Sequence, residues 1–185
     1  MPDQHPATGP WRYFGGLIQN APRPQARTML RDLFGRASRD HSRPDTAAVA
    51  QALGVTQRSV QRWVHDNKLP AARRAELQAR WDDSPAGRKR RISPTAQRLF
   101  HSGSEVAAVV HAKIEISNDR RNGTDRYFTL TFDPADASAL MTAMLAADDA
   151  EAERIWDQEI EQAFGGGGVG IDYLNTAWET RRGRT

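Results

Sequence analysis

Five side chains at helical spacing carry the clearest chemistry in this chain: Gln57, Arg58, Gln61, Arg62 and His65. With a period of 3.6 residues they fall on one face of a helix. A Gln amide pairs bidentately with adenine, an Arg fork pairs bidentately with guanine, and no acid interrupts the face. Thr56, Ser59 and Lys68 flank it with hydroxyls and an ammonium suited to phosphate oxygens. Further on, Arg88, Lys89, Arg90 and Arg91 form a run of four consecutive cations, expected to extend the phosphate-binding surface. Such contacts add affinity that falls steeply with salt and carries no sequence information.

A rigid element must present that face, and residues Thr46 to Asp66 read as a helix-turn-helix. Ala50 stands four residues before Gly54, where one helix passes close to the next and a small side chain is needed. Gly54 occupies the turn, where a positive φ costs glycine little. Thr56 is the expected N-cap of the second helix, its hydroxyl accepting from an otherwise unpaired N–H. Val49, Leu53, Val55, Val60 and Trp63 are spaced to bury the seam between the two helices. Two more helices are expected, over about Gln25–Ala37, with Met29, Leu30, Leu33 and Phe34 on one face, and over Ala71–Trp81.

The pattern changes period in the second half. Val106–Ser117 and Tyr127–Phe132 read as strands, with Asn122–Gly123 marking a turn between them. Asp133–Pro134 opens a helix bearing Leu140, Met141, Met144 and Leu145. A second helix over about Asp148–Phe164 is closed by the glycines beginning at Gly165, and Val169–Leu174 reads as a last strand. The expected fold class is α+β: an N-terminal all-helical helix-turn-helix domain followed by a small β-β-α-α-β domain. The expected divisions are a disordered or docking segment over 1–22, the helix-turn-helix domain over 23–84, a basic linker over 85–104, the α+β domain over 105–178 and a tail over 179–185. Trp11, Tyr13 and Phe14 suggest that the first segment docks on a folded surface.

Charge divides the chain in the same way. Residues 1–104 hold 18 Lys or Arg against 8 Asp or Glu, whereas residues 105–185 hold 8 against 15. A basic half joined to an acidic half suggests one part that meets a polyanion and one with another task. With no cysteine in the 185 residues, thiol catalysis, disulfides and zinc–cysteine sites are excluded. No apolar run is long enough to span a bilayer and no secretory leader is visible, so a cytoplasmic protein is expected, without a membrane partner. His5, His41, His65, His101 and His111 lack metal-binding spacing. The carboxylates Asp148, Asp149, Glu151, Glu153, Asp157, Glu159 and Glu161 are expected to form a solvated helix face. Gly165–Gly168 follow a helix instead of opening one, so they read as a cap or hinge.

Five segments in order resemble another group of proteins: PQARTMLRDLFGRA, VAQALGVTQRSVQRWV, RRAELQARWDDSPAGRKRR, AKIEISNDRRNGTDRYFTLTF and GIDYLNTAW. Across roughly residues 24–178 the chain resembles the telomere-protecting terminal proteins (Tpg-type) of linear actinobacterial chromosomes and plasmids. The resemblance implies a protein that binds telomeric DNA, including a single-stranded 3′ overhang, and primes end replication by accepting a deoxynucleotide on a hydroxyl. The same protein then caps the 5′ ends of the replicon. It implies a partner DNA polymerase, which supplies Mg and the deoxynucleotide, and a telomere-associated protein. The chain itself would be a primer and covalent acceptor, not an enzyme, with no cofactor of its own, and it would sit in the nucleoid at replicon ends. Laid on the family's attachment run, AKIEIS brings Ser117 to the acceptor position, with Thr124 and Tyr127 as alternatives and Arg120 and Arg121 beside the nucleotide phosphates. The contrasting expectation is a dimeric helix-turn-helix repressor of a plasmid or mobile element, whose α+β domain makes the homodimer.

Overall fold

The computed structural model describes Leu17 and residues 23–116, 124–165 and 169–180. The chain is a mixed α+β protein with its helices first, in two compact units: residues 20–91, and residues 92–185 together with 1–19. Among the described residues no helix is long and apolar enough to cross a membrane.

The first unit is helical: α1 (Ala26–Phe34), α2 (Thr46–Leu53), α3 (Gln57–His65), α4 (Ala71–Asp82) and α5 (Pro85–Arg91). Asp45 caps α2, accepting from the N–H groups of Ala47 and Ala48 at 3.0 and 3.1 Å. Leu30, Val49, Val60 and Leu77 are fully buried in one core with Met29, Leu53, Trp63 and Trp81. Trp81 keeps its polar end satisfied by donating from Nε1 to Asp32 Oδ2 at 3.2 Å. The sequence expects four helices here, whereas α5 is a fifth.

The second unit contains α6 (Pro94–Phe100), β1 (Val106–Ile116), β2 (Thr124–Phe132), α7 (Pro134–Ala146), α8 (Asp149–Phe164) and β3 (Val169–Thr180). The strands form an antiparallel sheet ordered β2-β1-β3, so β1 is central and both others are edges. A bulge in the β1–β3 pairing lies at His111/Ala112, whose partners are Asn175 and Tyr173. Val106, Ala108, Val110 and Ala112 alternate along β1 and join the core under the helical layer, while Ala107 between the first two is also buried. There Phe132, Trp156, Trp178 and Phe100 join in ring contacts of 4.8–5.6 Å. Leu17 belongs to the same core, its carbonyl accepting from Ser93 N–H at 3.1 Å. Trp11, Tyr13 and Phe14 lie outside the described residues.

The segment 85–104, expected as a basic linker, is largely helical. It contains α5 and α6 whole, and the two units divide within it, between Arg91 and Ile92. Both prolines are the first residue of a helix, where a missing N–H costs nothing. Ser93 Oγ accepts from Ala96 N–H at 3.0 Å, and Ser84 Oγ accepts from Gly87 N–H at 3.2 Å. Gly87 itself is enforced by contact: a Cβ there would overlap the Trp81 carbonyl oxygen.

Candidate nucleic-acid interface

The turn between α2 and α3 is built as the sequence requires. Gly54 ends α2 at φ 64°, in the left-handed region, and Val55 N–H bonds back to Ala50 O at 3.0 Å. Thr56 then caps α3, accepting from Ser59 N–H at 3.2 Å and lying 2.9 Å from the Ser59 hydroxyl. Val60, Trp63 and Val64 bury one face of α3, which leaves Gln57, Arg58, Gln61, Arg62 and His65 exposed on the other. The amphipathic pattern therefore decides which residues are presented. α3 contains no acid. At its end, His65 Nδ1 lies 3.0 Å from Asp66 Oδ1.

Gln57 is held differently from its neighbours. Its Nε2 donates to Thr46 Oγ1 at 3.0 Å, tying the start of α3 to the start of α2. Arg58, Gln61, Arg62 and His65 instead line an open groove of about 900 Å³. Arg27 of α1 and Arg43 and Pro44 of the loop before α2 line it too. The groove thus gathers four arginines from three parts of the chain, a concentration of positive charge suited to a polyanion. Sequence reading missed Arg27 and Arg43. No spacing rule links them to α3, because the fold alone brings them there.

Lys68 is exposed beyond α3, and Ser59 is partly covered by its bond to Thr56. The cationic run is not wholly at the surface. Arg88 is only 2% exposed, so it is a packed residue of α5 and not a phosphate contact. The helix turns it inward beside Gly87, while Lys89 and Arg90 remain exposed. Arg91 is partly covered and lies 4.0 Å from Asp82.

Of the hydroxyls singled out as nucleotide acceptors, Ser117 lies outside the described residues, as do Arg120 and Arg121. Thr124 begins β2 opposite Ile114. Tyr127 lies opposite His111 and is 75% exposed, its ring stacked on the imidazole with centroids 4.2 Å apart. The acidic face of α8 is not wholly solvated either. Glu159 is buried, and desolvation pushes its carboxyl up to about 7, helped by the charges of Asp136 and Asp133 and a hydrogen bond with Asp136. α8 packs Glu159 toward the first turn of α7, whereas Asp149, Glu151, Glu153, Asp157 and Glu161 are at least partly exposed. Gly165 ends α8 at φ 77°, with its N–H on Glu161 O at 2.9 Å. Gly166–Gly168 lie outside the described residues.

Comparison with known protein families, curated proteins and solved structures returns no match.

Proposed function

We propose that this chain binds duplex DNA through α3 and acts as a terminal protein of a linear replicon. The observation that carries the DNA-binding part is the exposed, acid-free face of Arg58, Gln61, Arg62 and His65 on the second helix of a helix-turn-helix. Gln61 and Arg62 read base edges in the major groove, while Arg27 and Arg58 hold backbone phosphates. The covalent part rests on the resemblance of residues 24–178 to terminal proteins. In that role a Ser, Thr or Tyr oxygen attacks the α-phosphorus of a deoxynucleoside triphosphate. A phosphodiester to the protein forms, the bond between the α- and β-phosphates breaks, pyrophosphate leaves and the hydroxyl proton passes to a base in the polymerase. The polymerase also supplies the metal ions. This chain contributes the acceptor (Ser117, with Thr124 and Tyr127 as alternatives) and the delivery to replicon ends in the nucleoid.

The direct test examines the native replicon. A terminal protein makes its 5′ ends resistant to a 5′-exonuclease until protease is added, and labelled deoxynucleotide becomes attached to the chain in the presence of polymerase. Ser117→Ala is expected to abolish that label, and a label that persists moves the acceptor to Thr124 or Tyr127. Ends that are digested without protease contradict the terminal-protein role. Release of the intact chain from a palindromic site would then favour the dimeric repressor.

A further inference from the structure

The chain between α1 and α2 is a closed, ordered loop rich in arginine. Gly35 leaves α1 at φ 94°, and Arg36 and Pro44 pair as an antiparallel bridge. Ala37 N–H bonds to Arg43 O at 2.9 Å and Asp45 N–H to Gly35 O at 3.0 Å, which fastens the two ends of the loop. Inside it, Asp40 organises the turn. Its Oδ1 accepts from the N–H and hydroxyl of Ser42 at 2.9 and 2.6 Å, and its Oδ2 lies 3.1 Å from Arg43 Nε. The hydrogen bonds from Ser42, aided by Arg43, hold the Asp40 carboxyl below the usual carboxylate range. The loop's one acid is therefore engaged internally.

Arg36 and Arg39 are different. Both are exposed, and neither makes an ion pair among the described residues. Ala37, Arg43 and Pro44 of this loop line the same groove as Arg58, Gln61 and Arg62. The loop thus stands beside the reading face of α3, with two uncommitted guanidinium groups on a backbone already fixed. Ordering such a loop on binding costs less entropy than ordering a slack one.

We propose that the 36–44 loop is a second DNA-contacting element, in which Arg36 and Arg39 grip phosphates of the strand bordering the groove that α3 enters. The proposal rests on the reading of α3 as a DNA-binding helix and adds an affinity element that does not read sequence. Each phosphate neutralised releases counterions, so two contacts contribute about 1.8 to the slope of log affinity against log salt.

The test measures binding of the full chain to a labelled random-sequence duplex by fluorescence anisotropy over a range of salt. Arg36→Gln with Arg39→Gln is expected to weaken binding on the order of tenfold at low salt and to reduce the slope by about 1.8. Arg36→Lys with Arg39→Lys keeps both charges and is expected to retain most of the slope. Circular dichroism checks that the helices persist in both. A Gln pair with wild-type affinity and slope overturns the loop assignment while leaving α3 intact. Equal losses in the Lys and Gln pairs overturn it too, because they would report a structural role. A wild-type chain that binds no duplex overturns the reading of α3, and the loop proposal falls with it.

Discussion

Thr56 and Arg62 sit six positions apart in sequence but act on different terms of the free energy. Thr56→Ala removes the acceptor for Ser59 N–H, which should cost about 1 kcal/mol of stability, seen as a lower urea midpoint with an unchanged slope. Arg62→Ala leaves stability nearly unchanged, because the side chain is exposed, and is expected to weaken specific DNA binding roughly five- to hundredfold. A titration with a preferred duplex and a random one separates the two effects. This part of the site was legible because cap, turn and exposed face obey local spacing rules. Gln57 shows the limit of such rules. Residue type alone groups it with the base readers, and no local rule shows that its amide also bonds Thr46 at the start of α2.

Helices α5 and α6 are hidden by their own composition. Pro85, Gly87, Pro94 and the Arg88–Arg91 run resemble a linker by composition, but Ser84–Pro85 and Ser93–Pro94 are helix starts. The serine caps and the following proline takes the first helical position. That signal was present in the sequence. The reason for Gly87 was not, since it depends on α5 folding back against the Trp81 carbonyl. Gly87→Ala is therefore expected to destabilise the helical unit by about 1–3 kcal/mol, whereas the same change in an exposed helix interior stabilises. A thermal melt followed by circular dichroism distinguishes the outcomes. The strands were recognised by alternation, but β2 and β3 both run further than expected. β2 begins at Thr124 and β3 continues to Thr180, because pairing with the long central strand extends order past the apolar residues that mark each strand.

Across the whole molecule, the helical unit carries the positive charge and the α+β unit the negative, so association with DNA should depend steeply on salt through the first. The second unit has its own pH response. Glu159 titrates near 7 in the fold against 4.5 for an ordinary glutamate, so the folded state binds the extra proton. Its contribution is complete below pH 4.5 and is lost as pH rises through 7, a difference on the order of 2 kcal/mol. Glu159→Gln keeps the neutral form at every pH. It is expected to raise the melting temperature of the α+β unit above pH 7 and to flatten the pH dependence between 4.5 and 7. Calorimetry across that range checks it, and a variant that melts with the wild-type pH profile would contradict the burial argument.

In the proposed function α3 reads DNA through its exposed Gln and Arg side chains. Selection from a random-sequence duplex pool tests it most directly, with the wild-type chain and the Gln61→Ala and Arg62→Ala variants run in parallel. The expected result is a motif enriched by the wild type, relaxed at an adenine when Gln61 is replaced and at a guanine when Arg62 is replaced. A pool that shows no enrichment, or the same motif from all three chains, would contradict it.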